Sequence, residues 1–136
     1  MKQILHFDNV EIFDWYDGLV LGLARSQDSS FLVCLLAFDP DRRRKRYLLA
    51  SISQEQTKRL RALFQDHGLQ SFSKLTFSEI IAPSVSLYLT SAEPKQDKTV
   101  ELTIMDSEQR LQLQGLSLLL IDEAVSPNAI SQWLDN

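Results

Sequence analysis

Two aspartates near the start of the chain, Asp14 and Asp17 in "FDWYDG", are the residues best suited to chemistry. Paired carboxylates can share a proton or hold a divalent metal, as they do in nucleases and phosphatases. Asp17-Gly18 is also the preferred pair for a two-residue type I′ turn, because both central residues need positive φ. The turn explains Asp17 and leaves Asp14 as a strand residue opposite Leu21. A metal-dependent hydrolase or nuclease is therefore our second hypothesis, and we expect no catalytic residue or metal site.

Other signatures of catalysis or cofactor binding do not occur in the sequence. The chain has no P-loop, dinucleotide-binding glycine motif, nucleophile elbow or zinc-protease helix motif, so we expect no cofactor. His6 and His67 fall in separate predicted elements, which argues against a histidine metal site. The single cysteine, Cys34, excludes an intrachain disulfide and reads as a buried, inert thiol suited to a reducing cytoplasm.

The densest charge run is "RRRKR", residues 42–46. Basic pentamers can contact nucleic acid or phosphate. We expect this run to be an exposed loop between two strands, either a solvated tip or a protein contact, with nucleic-acid contact as a third hypothesis. The net charge of −4 argues against that third function, since residues 69–136 hold four basic against nine acidic side chains.

Aromatic residues complete the set of candidate binding residues. Trp133 lies on the apolar face of a predicted C-terminal helix, where it either packs the helix down or docks on a second copy of the chain in a homodimer. The candidate binding residues are Trp15, Tyr16, Asp17, Arg42, Arg43, Arg44, Arg46 and Trp133.

These candidates depend on strands predicted from periodicity and turn residues. A type I′ turn at Asp17-Gly18 predicts a hairpin in which Trp15 faces Val20 and Phe13 faces Gly22. The run "FLVCLLAF" lacks polar alternation, which fits a strand covered on both faces. Further strands are predicted at "YLLASI", "SVSLYLTS", "TVELTIM" and "RLQLQGLSLLLID".

Three helices are predicted from capping signals. Ser53 and Gln56 form a capping box at the start of the main helix, which Gly68 ends as a left-handed residue. A second capping box predicts a short helix over residues 76–82. Ser126 and Pro127 start a C-terminal helix in the favoured way.

The stretches "FDWYDGLVLGLARS" and "RYLLASISQEQTKRLRALF", with the strand between them, resemble a group of uncharacterised bacterial domains. Members of that group open with an aromatic-Asp-aromatic-Tyr-Asp-Gly hairpin, followed by a strand and a Ser-capped helix. The resemblance covers the first half of the chain, and many relatives have proline where this chain has Leu19. It implies a bacterial α+β domain and brings no established activity or site residue.

The sequence thus predicts one α+β domain over residues 1–136, with an antiparallel, meander-like sheet of about six to eight strands. One main central helix, a short helix and a C-terminal helix accompany the sheet. The apolar runs are too short for a signal peptide or a membrane span, so we expect a soluble cytoplasmic protein without membrane contact. Immunity proteins and antitoxins have this size and character, and by analogy we expect a non-enzymatic regulatory or accessory module that binds a protein partner.

Overall fold

The computed structural model describes residues 2–15, 18–39, 41–73, 75, 77–81 and 85–114. One antiparallel sheet and three helices occupy these ranges. The strands are β1 Lys2–His6, β2 Asn9–Trp15, β3 Leu19–Ser26, β4 Ser29–Asp39, β5 Arg44–Ile52, β6 Leu87–Thr90 and β7 Thr99–Ile104. The helices are α1 Gln54–Ser73, α2 Phe77–Ile80 and α3 Ser107–Leu113. The sheet order is β1-β7-β6-β5-β4-β3-β2, so the predicted antiparallel α+β meander is confirmed.

Phe7 and Asp8 join the two outermost strands of the sheet, β1 and β2. The Phe7 amide donates to the carbonyl of Lys98 at 3.0 Å, and its carbonyl accepts from the amide of Asp97 at 2.8 Å. The Asp8 amide donates to the carbonyl of Arg25 on β3 at 2.8 Å. Because consecutive residues bond to opposite margins of the sheet, the sheet curls into a half-barrel. The side chain of Phe7 is fully buried where the margins meet.

Both faces of the curled sheet are buried along its central strands, β3, β4 and β5. The inner face packs residues such as Phe7, Val33 and Leu49 against one another, and the outer face packs Cys34 with Leu60 of α1. Successive residues of β4 enter opposite clusters, so the prediction of a strand covered on both faces is confirmed. Burial also raises the pKa of the Cys34 thiol, as expected of an inert cysteine.

The β2–β3 hairpin follows the predicted register only in part. Asp14 lies opposite Leu21 as predicted, but Trp15 pairs with Leu19 and not with Val20. The register shifts on both sides of Asp14, which marks irregular pairing at this end of the strand. The continuous register expected of the type I′ turn is therefore wrong, and residues 16 and 17 of that turn lie outside the described residues.

Phe13 leaves the predicted cross-strand position because it packs against α1. Its ring stacks on the ring of Phe64 with a centroid separation of 4.6 Å and an angle of 10° between planes. Ile12 takes the place opposite Gly22 instead. A Cβ on Gly22 would overlap the carbonyl oxygen of Glu11, so this glycine permits close approach of β2 and β3.

The start of α1 confirms the predicted capping box. The Gln56 amide donates to Ser53 Oγ at 3.1 Å, and the Ser53 amide donates to Gln56 Oε1 at 2.9 Å. Gly68 has a positive φ of 72°, but it kinks the chain and helical geometry resumes as far as Ser73. The predicted end of the helix at Gly68 is therefore a kink. No helix in the described ranges is long and apolar enough to cross a membrane.

The segment after β7 departs most from the predicted elements. Residues 110–113 begin the stretch predicted as a strand, but they lie in α3. Asp106 caps α3 and forms a capping box with Gln109, with bonds of 2.8 and 3.0 Å between side chains and amides. This local signal outweighs the short apolar alternation that follows. The rest of the predicted strand and the predicted C-terminal helix with Trp133 lie outside the described residues.

Candidate functional site

A cleft lies at the end of the sheet where three chain connections meet. The β2–β3 turn, the β4–β5 turn and the β6–β7 connection are on the same end because a meander alternates its turns between two ends. The cleft has a volume of about 430 Å³. Its lining residues are Trp15, Gly18, Arg43, Lys45, Ser91, Glu93 and Lys95.

The carboxylate of Glu93 forms the floor of this cleft. Its Oε1 accepts the backbone N–H of Leu19 at 3.0 Å and faces Lys45 Nζ at 3.5 Å. Its Oε2 lies 3.6 Å from Lys95 Nζ. The side chain is only 14% exposed. These contacts tie the β6–β7 connection to β3 across the inner face of the half-barrel.

The pKa of Glu93 results from opposing effects. Partial burial acts to raise it, because burial disfavours the charged carboxylate. The hydrogen bonds from the Leu19 amide and the Tyr47 hydroxyl, together with the charges of Lys45 and Lys95, outweigh burial and hold the pKa below its ordinary value. Glu93 is therefore ionised at neutral pH, which suits an anchoring carboxylate and not a general acid.

The hydroxyl of Tyr47 joins the same network from β5. It lies 2.7 Å from the carbonyl oxygen of Leu19 and 3.1 Å from Glu93 Oε1. A neutral hydroxyl has one proton to donate, so these two acceptors share it. Burial and the neighbouring Glu93 charge raise the pKa of Tyr47, which keeps the hydroxyl protonated. Both backbone polar groups of Leu19 are thus bonded to side chains of the network.

Gly18 allows the network to close beneath the turn. Its φ of 133° is rarely adopted by residues with side chains. A Cβ at this position would overlap Glu93 Oε1 and Lys45 Nζ. The glycine predicted for the turn therefore has a second role, since it leaves space for an ion pair between Lys45 of β5 and Glu93 of the β6–β7 connection.

Positive side chains surround the floor. Lys45 is 19% exposed and its Nζ lies 5.4 Å from the centre of the Phe38 ring, a cation–π distance. Lys95 is 60% exposed and Arg43 is exposed in the β4–β5 turn. The Arg46 guanidinium donates to Ser91 Oγ at 2.9 Å, at the edge of the cleft.

The expectation that residues 42–46 form one exposed loop is wrong. Residues 44–46 belong to β5, and among the described residues of this connection 41–43 form the turn. Asp39 organises that turn, because its Oδ1 accepts the amides of Asp41 and Arg42 at 3.1 and 3.4 Å. Alternation along β5 then directs Lys45 toward Glu93, so the run is divided between the turn and a packed strand.

The other candidate residues have separate outcomes. Trp15 forms a wall of the cleft and is 55% exposed. Tyr16, Asp17 and Trp133 lie outside the described residues. Asp14 is half-buried in β2. Among the residues that the structure describes, no group of three or more His, Cys, Asp or Glu side chains could hold a metal ion.

Sequence reasoning missed Glu93, Tyr47 and Lys95 as site residues. A faint signal exists, because Tyr47 carries the only polar side-chain group in the apolar run "YLLA" and Glu93 precedes a proline just after β6. A buried hydroxyl needs a hydrogen-bond partner, but the sequence does not say which segment supplies it.

The arrangement is suited to binding. Its carboxylate is engaged by the Leu19 amide, the Tyr47 hydroxyl and two lysines, while Trp15 and the cationic side chains face the opening. Exposed aromatic and cationic groups on a fixed base are typical of contact surfaces. No known protein family, curated protein or solved structure matches this chain.

Proposed function

We propose that this chain is a non-enzymatic protein-interaction module, of the regulatory or accessory kind, and that the cleft beside Trp15 is its contact surface. The observation that carries the proposal is the exposure of Trp15 next to Arg43 and Lys95. Tryptophan and arginine are the residue types most enriched among those that dominate binding energy at protein interfaces.

The base of the cleft supports this proposal because it is fixed in advance. Glu93 connects β3, β5 and the β6–β7 connection through bonds to Leu19, Tyr47 and Lys45. A surface that is already ordered loses less conformational entropy when a partner binds. The same bonds keep Glu93 ionised, which favours a structural carboxylate over an enzymatic acid.

Nucleic-acid binding through residues 42–46 is less well supported. Lys45 is engaged with Glu93, and Arg46 is half-buried with its guanidinium bonded to Ser91. Only Arg42 and Arg43 of the run lie in the turn. A nucleic-acid backbone requires a broad positive face, whereas this chain has a net charge of −4.

Site-specific photo-crosslinking in cells of the organism that encodes the protein tests the proposal. A photoreactive residue replaces Ser91 in the cleft, and a matched control replaces Gln65, which is exposed on α1. We expect one reproducible protein adduct from position 91 that is absent from position 65 and is lost in Trp15→Ala. Equal adducts from both positions, or adducts unaffected by Trp15→Ala, would reject the cleft as the contact surface.

A further inference from the structure

The cleft carries positive charge within an acidic chain. Its described lining residues include three cations, Arg43, Lys45 and Lys95, and one carboxylate, Glu93, which gives a formal balance of +2. The whole chain has a net charge of −4. The sign of the local charge is thus opposite to that of the molecule, which concentrates attraction for anions at this one end of the sheet.

Glu93 carries one negative charge between two lysines, so one unit of their positive charge is left over. The Nζ atoms of Lys45 and Lys95 lie 3.5 and 3.6 Å from separate carboxylate oxygens. Close charge-assisted bonds are shorter, about 2.7–2.9 Å. Lys95 is 60% exposed, and an ammonium group has three protons to donate, so it can bind a further carboxylate.

Two further basic residues of β5 lie beside the cleft. Arg46 contacts Ser91 of the lining, and Arg44 lies near it on the same strand. The pKa of Arg46 is lowered, first because burial disfavours its charged form and then because Arg44 repels it.

We propose that the cleft binds a short acidic peptide segment of the partner, with one carboxylate on Arg43, a second on Lys95 and an apolar side chain against Trp15. The inference rests on the proposed function and names the chemistry of its partner. Two carboxylates match the formal balance of +2 of the described lining residues. A cleft of about 430 Å³ holds a few side chains, which suits a short segment and not an extended polyanion.

Tryptophan fluorescence measures this binding directly. The chain has two tryptophans, so a Trp133→Phe background leaves Trp15 as the single reporter at the cleft wall. The probe is a capped hexapeptide of alternating glutamate and leucine, and its control replaces each glutamate by glutamine. We expect saturable binding of the glutamate peptide, at least about ten-fold tighter than that of the control. Raising the salt from about 50 to about 300 mM should weaken it.

Charge reversal assigns the binding to the cleft. We expect Arg43→Glu and Lys95→Glu each to lower the affinity for the glutamate peptide by about ten-fold or more. Arg59→Glu makes the same change of net charge at an exposed position on α1 and should have less than about a two-fold effect. Lys95→Gln avoids a new carboxylate beside Glu93, and it should still weaken binding while the circular dichroism spectrum stays unchanged.

Several results would overturn the inference. Equal affinity for the glutamate and glutamine peptides would show that carboxylates are not recognised. Equal losses of affinity in Arg59→Glu and Arg43→Glu would show that binding depends on the net charge of the protein and not on the cleft. The protein could instead bind labelled duplex DNA and neither peptide. If Arg43→Glu abolished that DNA binding, the cleft would be a nucleic-acid site. Crosslinking from position 91 to a partner segment without acidic residues would reject the peptide chemistry and leave the proposed function standing, whereas no adduct at that position would reject both.

Discussion

Glu93 Oε1 accepts the backbone N–H of Leu19 at 3.0 Å, across 74 positions of the sequence. The bond joins the β6–β7 connection to β3, although these are not neighbours in the sheet order. It can form because the curl of the sheet brings the β6–β7 connection close to β3 across the inner face. The contact that forms the floor of the cleft therefore also holds the curled sheet together. Substitutions that break it should alter both the cleft and the stability of the fold.

Removal of the Tyr47 hydroxyl tests how much the network stabilises the fold. In Tyr47→Phe the carbonyl of Leu19 loses its 2.7 Å donor and Glu93 loses one of its bonds. We expect the free energy of unfolding in urea to fall by about 1–3 kcal/mol, the usual cost of taking a hydrogen-bond donor away from a buried polar group. Tyr88→Phe, at a half-buried tyrosine on β6, is the control and should cost less than about 0.5 kcal/mol. Equal effects of the two changes would contradict the role of the Tyr47 hydroxyl.

The stability of the protein should depend on the ionisation of Glu93. Its pKa in the folded state lies below the ordinary value of 4.5, so the ionised group stabilises the fold above that pH. This contribution is lost as the pH falls through the lower folded pKa. We expect Glu93→Gln to destabilise the protein at about pH 7 and to differ much less from wild type at about pH 3. Urea titrations at both pH values measure the difference, and a constant difference would refute the assignment.

Gly18→Ala should cost more than the strain of its backbone alone. The new Cβ would displace Glu93 and Lys45, so we expect about 2–4 kcal/mol of lost unfolding free energy. Gly68→Ala is the matched control, because it also has positive φ but its Cβ would meet nothing within 4 Å. In a Glu93→Ala background the cost of Gly18→Ala should fall toward that of Gly68→Ala. An unchanged cost in that background would exclude the overlap as its cause.

The stacked rings of Phe13 and Phe64 should couple β2 to α1. Each ring is half-buried, so we expect Phe13→Ala and Phe64→Ala each to lower the free energy of unfolding by about 2–3 kcal/mol. Their double-mutant cycle should give a coupling of about 0.5–1.5 kcal/mol. A cycle between Phe13 and Phe38, whose ring lies beside Lys45, should give a coupling near zero. Coupling of equal size in both cycles would contradict a specific stacking interaction.

Metal titration separates the binding module from the alternative enzyme. Asp14 is half-buried opposite Leu21, and the described residues hold no group of three or more His, Cys, Asp or Glu side chains that could bind a metal ion. We expect isothermal calorimetry with Mg²⁺ and with Mn²⁺ to show no tight site in the wild type or in Asp14→Asn. A tight site in the wild type that disappears in Asp14→Asn would instead support the metal-dependent hydrolase or nuclease that uses Asp14 and Asp17.

Local patterns in the sequence determined much of the fold. The capping box at Ser53 depends on residues three positions apart, so the start of α1 could be predicted. The unbroken apolar run of β4 predicted burial on both faces for a similar local reason. The prediction from apolar alternation is wrong after β7, because residues 110–113 continue the helix that the capping box at Asp106 starts.

Tertiary structure alone decided the details of the hairpin and the site. Phe13 could stack on Phe64 only once α1 lay over β2, and this packing moved the hairpin out of its predicted register. The sequence predicts Lys45 as one residue of a basic loop, whereas in the structure it lies on β5 and its side chain points toward Glu93. The network joins residues from three distant segments, and their approach depends on strand order and on the curl of the sheet. Composition and periodicity specify which residues are buried, but they do not specify which distant polar groups meet, because that depends on the path of the whole chain.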